Sequence, residues 1–306
     1  MYHYVRDFAR TRYPRIKGLD VADFRSQLAH LQRHYQLVSL ETVIQALRGL
    51  DTLPPKATLL TFDDGYKEHY DTVFPILQQA GISGAFFPPV SSSARGILLD
   101  VNRVHFLLAC TEATVLAKTI DQVVDDRQSE LLLDSVREYR DRWAIANRFD
   151  DAETIYVKRM LQRALPESLR HDIASDLFSR HIGIEEEVFA SELYCSSDQL
   201  RTMQACGMYI GSHGTSHRWL NTLSRKEQEA EVVESMDFLR AIGSPVDDYW
   251  AMAYPYGGWN EELIDVLTRH GCDVGFTTEV AAADLDGSSP LRLPRFDTND
   301  VCSLVA

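Results

Sequence analysis

The chain has 306 residues, 45% of them hydrophobic and 25% charged, with a formal net charge of −14 at pH 7. Such a length can bury a large core, and the composition is that of an ordinary globular protein. The acidic excess argues against nucleic acid or an anionic membrane as default partners, while leaving room for a locally basic site.

Short apolar runs alternate with helical patterns, which predicts an α/β architecture with parallel strands. His3 falls in a first short strand. Phe24, Leu28 and Leu31 mark a helix at i, i+4, i+7, capped by Asp20. Residues 37–39 read as a strand, with Ser39 capping a helix that carries Val43 and Leu47. Residues 58–62 read as a buried strand, and a helix ending near Gly81 leads to a strand over 84–87. From about residue 98 to 193 strand signals nearly vanish, and amphipathic patterns cover 104–116, 131–146, 152–165 and 169–178. This stretch is expected to be a helical insertion, serving as a lid or a packing subdomain. The domains expected are therefore 1–97 with 194–306, and 98–193. Alternation resumes with a helix over 198–205, stopped by Gly207, and a strand over 208–212. Ser224-x-x-Glu227 is a capping box for a helix carrying Val232, Met236 and Leu239. A strand over 249–254 runs into the sharp turn Pro255-Tyr256-Gly257-Gly258. A helix capped by Asn260 and stopped by Gly271 follows, then strands over 274–277 and 291–293.

No apolar run reaches the roughly 18 residues of a membrane span. The N-terminus, Met1-Tyr2-His3-Tyr4, has neither the charged nor the apolar region of a leader. Taken as the whole native chain, this predicts a cytoplasmic protein, although a removed leader would leave the same sequence. Five cysteines (Cys110, Cys195, Cys206, Cys272, Cys302) fall in no metal-type spacing and predict buried, reduced thiols. The sequence does not define an oligomeric state.

Two stretches carry the chemistry. Thr61-Phe62-Asp63-Asp64-Gly65-Tyr66 ends an apolar run on paired carboxylates, and Ser212-His213-Gly214-Thr215-Ser216-His217 ends another on two histidines four apart. Imidazole and carboxylate form the ligand set of a zinc-type hydrolytic site, and three protein ligands leave a position for water. Adjacent residues on an extended backbone point to opposite sides, so one aspartate can ligate while the other serves as base. Asp63, Asp64, His213, Tyr256 and Arg295 all follow predicted strands, and sites in such folds gather at the carboxyl ends of strands.

TFDDGY followed by SHGTSH resembles the first two motifs of polysaccharide deacetylases of the NodB-homology type (carbohydrate esterase family 4). AYPYGGWN resembles their third motif. The resemblance covers residues 1–90 and 196–306 and implies a distorted (β/α) barrel with a divalent metal, most often zinc, at the strand ends. The implied reaction is metal-dependent hydrolysis of an N-acetyl group from an amino sugar or saccharide. Carried over by position, Asp64, His213 and His217 would hold the metal, Asp63 would be the base, and the Tyr256 backbone N–H would help hold the oxyanion.

The chain also departs from the family pattern. The arginine that usually opens the third motif is absent from Trp250-Ala251-Met252-Ala253-Tyr254, and Arg295 is the candidate to supply a guanidinium; its structural alternative is an ion pair with Asp297 or Asp300. No histidine follows His270 to act as the usual general acid. His3 is the first candidate for that acid and His69 the second, the latter otherwise a solvated helix residue; His105 lies in the insertion. Arg137, Tyr139, Arg140, Arg142, Trp143, Tyr156, Lys158 and Arg159 give the insertion aromatics and cations that suit a saccharide or its anionic groups, or simply a solvated face. A long lid would suit a compact, free or linked amino sugar. A deformylase or cyclic-amide hydrolase on the same site, and a non-catalytic relative, are the alternative functions.

Overall fold

The computed structural model describes residues 1–285, 287 and 289–305, with side chains through Val301. Cys302, one of the expected thiols, lies outside the described side chains. The chain divides into two compact units, one of Met1–Asp7, Gly18–Ile97 and Ala190–Ala306, the other of Phe8–Lys17 and Leu98–Phe189. The second boundary thus falls at Ala190 rather than residue 194, and residues 8–17 belong with the helices. The cause is local packing. The Tyr13 ring meets Phe106 edge-on at 4.9 Å, and Arg15 Nε donates to the Ala109 carbonyl at 2.9 Å. Nothing periodic in residues 8–17 signals that attachment.

In the first unit the strands are β1 (Val5–Arg6), β2 (Leu19–Asp20), β3 (Gln36–Leu37), β4 (Ala57–Thr58), β5 (Thr61–Asp63), β6 (Ala85–Phe87), β7 (Tyr209–Ile210), β8 (Ala251–Ala253) and β9 (Val274–Phe276). Every ladder between them is parallel, with β5–β6–β7 forming a three-stranded sheet in the register Thr61↔Ala85 and Ala85↔Tyr209. Single parallel bridges continue the series: Tyr2 to Phe62, Ser212 to Met252, and Phe276 to Leu293. The Met1 nitrogen donates to the Phe296 carbonyl at 2.7 Å, bringing the last segment against the first. This is the expected distorted (β/α) barrel; its distortion is that many ladders shrink to two or three residues or a single bridge.

β5, β6, β8 and β9 are buried along their whole length. Strands covered on both faces read as continuous apolar runs, which is why 84–87 and 274–277 stand out without alternation. Inside, Phe62 stacks on Phe86 at 4.7 Å and on Tyr2 at 5.1 Å, joining three neighbouring segments. The capping side chains behave as their chemistry dictates: Asp20 accepts from the Ala22 N–H, Asn260 from that of Leu263, and Ser224 forms a reciprocal capping box with Glu227. Three strand expectations need correction. His3 lies between the Tyr2 bridge and β1 rather than in a strand. Residues 58–62 split between β4 and β5, and 291–293 contribute only the Leu293 bridge, because Pro290–Arg292 turns as a short 3-10 helix.

The second unit contains helices Asp100–Cys110, Ala113–Leu131, Val136–Trp143, Ala152–Arg159 and Glu167–His181 around a core that includes Leu107, Ile120, Tyr156, Leu161 and Leu177. Most of helix Ala113–Leu131 is unanticipated by the sequence pattern. It buries only Leu116, Ala117, Ile120 and Val124, so its apolar stripe is thin against a charged background. No helix among the described residues is long and apolar enough to cross a membrane. Among the described cysteines Cys195 and Cys272 are buried, but Cys110 and Cys206 are exposed, correcting the expectation of uniform burial; all four are unpaired.

Candidate active site

Asp63 ends β5, and the next residue leaves the strand with φ of +73°. The Asp64 N–H bonds to the Phe87 carbonyl at 3.1 Å, which fixes the turn against the end of β6. The reversal sends the two carboxylates into different environments.

Asp64 turns toward the histidines. Its Oδ1 lies 3.3 Å from His213 Nε2 and 3.1 Å from His217 Nε2, all three side chains being buried. His213 Nδ1 is 2.7 Å from the Ala253 carbonyl at the end of β8; Nδ1 therefore carries a proton donated to that carbonyl, and Nε2 is the atom that faces Asp64. The other carboxylate oxygen, Oδ2, accepts from the Tyr66 hydroxyl at 2.6 Å. Burial alone would raise the Asp64 carboxyl pKa, yet the two imidazoles hold it well below the ordinary range. His213 is pushed up despite its burial, by Asp64 and the charge of Asp63, whereas burial drives His217 down.

Asp63 turns toward the last segment. Arg295 is buried, and its two terminal nitrogens bond Asp63 Oδ1 at 2.9 Å and Oδ2 at 2.7 Å. Its Nε donates to the Thr277 carbonyl at 3.0 Å and one terminal nitrogen reaches the Thr61 hydroxyl. The guanidinium thus pairs with Asp63, and the ion pair considered with Asp297 or Asp300 is not what holds it. Burial pushes the Asp63 carboxyl up, but the charge of Arg295, then that of His213, brings it to about 2.

His3 is half-buried, and its ring lies within electrostatic reach of Asp63, Asp64 and His217. His69 is buried rather than solvated, so its expected exposed position is corrected. Its Nε2 is 2.8 Å from the His3 carbonyl, and burial lowers its pKa to about 4. At neutral pH it is an uncharged donor that holds the His3 backbone, not a proton source. His105 lies in the second unit. Tyr256 adopts φ of +57° after Pro255; its ring stacks on Trp219 at 4.6 Å and meets His217 edge-on at 4.7 Å.

Asp64, His217 and Tyr256 are three of five non-glycine residues with positive φ among the described residues. Such conformations persist only where their surroundings over-determine them.

Oδ1 of Asp64 has no aligned hydrogen-bond donor although it is buried, and the three candidate ligand atoms lie within 4.8 Å of one another. A buried carboxylate oxygen facing two imidazole nitrogens is the donor set for a zinc-like cation, so these residues fit a metal. The family's sequence profile, described as polysaccharide deacetylase, matches residues 51–95 and 140–275, well over half of the chain. The chain belongs to the polysaccharide deacetylase family. Poly-beta-1,6-N-acetyl-D-glucosamine N-deacetylase of Escherichia coli (strain K12) is 28% identical over 287 residues, 92% of this chain but 34% of that protein. The chain thus spans about a third of the length of that curated relative. Among solved structures, Streptococcus pyogenes deacetylase PplD in complex with acetate matches with a TM-score of 0.58 at 17% identity, covering 96% of this chain and 88% of that one. IcaB from Ammonifex degensii matches with a TM-score of 0.57 at 16% identity, covering 99% and 92%. These two likenesses establish the shared fold.

The sequence alone does not disclose the parts played by Tyr66 and His69. Tyr66 stood inside the quoted motif, and a tyrosine two residues beyond paired aspartates was the available signal. His69 carried none, because its burial depends on Phe62, Tyr66 and Phe86 closing around it.

Proposed function

We propose that the chain hydrolyses N-acetyl groups on a polymer of N-acetylglucosamine, with Asp64, His213 and His217 holding a zinc ion. The observation that carries this is the convergence of those three ligand atoms beside an aspartate clamped by arginine. The curated relative's name supports the substrate class. The flat pair of Trp219 and Tyr256 supports it too, since aromatic faces stack on sugar rings.

The zinc ion would polarise the acetyl carbonyl and make water acidic enough to attack near neutral pH. Asp63 is ionised at that pH and takes the proton of the attacking water on a carboxylate oxygen. Arg295 fixes the plane of that carboxylate from both oxygens, supplying the guanidinium that the third motif lacks. The backbone N–H of Tyr256 helps hold the developing oxyanion; one such donor is worth about 3 kcal/mol of barrier. His3 gives a proton to the departing amine, with His69 fixing its backbone. The amino acids of the second unit are not required for any of these steps. Arg140 is occupied by Asp121 and Glu153, Arg142 by Asp134, and Lys158 by Asp150.

Two measurements on the purified protein test the reading: metal content, and the acid released from β-1,6-linked N-acetylglucosamine oligomers. One zinc per chain and acetate are expected. Formate release from an N-formyl analogue, with no acetate from the oligomers, would instead make the chain a deformylase. A protein that binds no divalent ion and releases neither acid would be a non-catalytic relative.

A further inference from the structure

Helix Arg225–Ala241 buries three polar side chains, Gln228, Glu231 and Ser235, at an average spacing of one helical turn. All of them reach the segment that carries the two histidines. Gln228 donates to the Leu220 carbonyl at 2.9 Å, and the Ser235 hydroxyl meets that of Ser212 at 2.9 Å. Glu231 sits between them with its carboxylate inside the histidine loop. One oxygen accepts the N–H of Thr215 at 2.6 Å and that of Ser216 at 3.1 Å; the other accepts the Ser216 hydroxyl and lies 3.5 Å from Arg218. The Thr215 hydroxyl closes the circuit on the Glu231 carbonyl at 3.2 Å.

This burial is unusual chemistry for a helix interior. A carboxylate loses much solvation when buried and is retained where hydrogen bonds replace the water. Here the donors are two consecutive backbone N–H groups between His213 and His217. The same loop carries a left-handed histidine, His217, at φ of +55°, a conformation that an unconstrained chain would abandon. Gly214, at φ of +70°, leaves the carboxylate its room: a Cβ there would stand 3.1 Å from the Glu231 oxygen.

We propose that Glu231 is a positioning residue that pre-forms the metal-binding loop, so that it sets the affinity for the ion rather than the rate of the chemical step. It touches no reacting atom and acts only through the backbone between the ligands. The inference rests on the metal-site reading above, and the test separates the two.

The test compares the wild type with Glu231→Leu, which keeps volume but removes the acceptor, and with Glu231→Gln, which restores one. Zinc affinity is measured by competition with a chelator, folding of the metal-free proteins by circular dichroism, and acetate release at saturating zinc. Glu231→Leu is expected to bind zinc at least 10-fold more weakly. Its turnover at saturating zinc should stay within about threefold of wild type, and Glu231→Gln should recover most of the affinity. If Glu231→Leu does not fold, Ser216→Ala carries the test by deleting one bond to the carboxylate, with a two- to fivefold loss of affinity expected. Unchanged zinc affinity in a folded variant overturns the proposal, as does lost turnover at full zinc occupancy. A wild type that binds no zinc would overturn the metal-site reading first.

Discussion

Two acids, Asp121 partly exposed and Asp64 buried, show how differently the two units use charge. In the second unit Asp121 is saturated: Arg140 donates to it twice, and the Tyr156 hydroxyl bonds its other oxygen at 2.7 Å. In the first unit Asp64 has the Tyr66 hydroxyl on one oxygen and two imidazole nitrogens facing the other without alignment. A saturated cluster has nothing left to offer a ligand and acts as a structural fastener. An unsaturated one, kept buried by the fold around it, is poised to receive a cation. The arginines and tyrosines of the insertion, attractive as saccharide contacts in the sequence, largely belong to the first kind.

The contrast can be broken most severely at the aspartate pair. Asp63→Asn should cut acetate release by at least about 1,000-fold while zinc stays bound, as expected for loss of a general base. Asp64→Asn should weaken zinc itself by about 100-fold, measured with a chelator. Equal zinc loss in both variants would show that the two carboxylates do not divide their labour. A smaller effect is expected at His3. Replacing it by alanine should lower turnover about 100-fold with zinc affinity unchanged, and an undiminished rate would exclude it as the proton donor.

On the closed side, Asp121→Ala removes two of the hydrogen bonds of Arg140, leaving it Glu153, and takes the partner of the Tyr156 hydroxyl. Denaturant titration should show about 2 kcal/mol lost from the second unit, with acetate release per folded molecule unchanged. A loss of activity without a loss of stability would give that cluster a functional part.

An effect of similar size is one of pH. Burial raises the Asp63 carboxyl pKa, but Arg295 and then His213 outweigh it, leaving about 2 against an ordinary 3.8. The folded state therefore gains from this group above pH 4 and loses that gain as pH falls toward 2. The loss should be about 2 kcal/mol in metal-free protein, read as the difference in acid unfolding between wild type and Asp63→Asn. Identical acid sensitivity in the two would mean that the Arg295 contact gives no net stabilisation.

Much of this was legible in the sequence because local chemistry decided it. Asp20, Ser39, Asn260 and Ser224 are caps wherever a helix follows them, and the buried strands announced themselves by unbroken apolar runs. The candidate metal ligands were legible as two short motifs, since strand ends bring distant segments together by rule. What stayed hidden depended on tertiary partners. Residues 8–17 join the helical unit through Tyr13 and Arg15, with no periodic pattern of their own. His69 read as solvated because only the closed aromatic cage of Phe62, Tyr66 and Phe86 makes it buried. Arg295 had two acidic neighbours in sequence, yet its partner lies 232 positions away.

Tyr66 ties the metal-side aspartate to one further group. Its carbonyl accepts the thiol of Cys195 at 3.0 Å, and burial pushes that thiol's pKa up to about 12. A maleimide should therefore ignore Cys195 while the polypeptide around it stays shut, and label it when that neighbourhood opens. The speed of its labelling becomes a clock for breathing motions beside the catalytic centre.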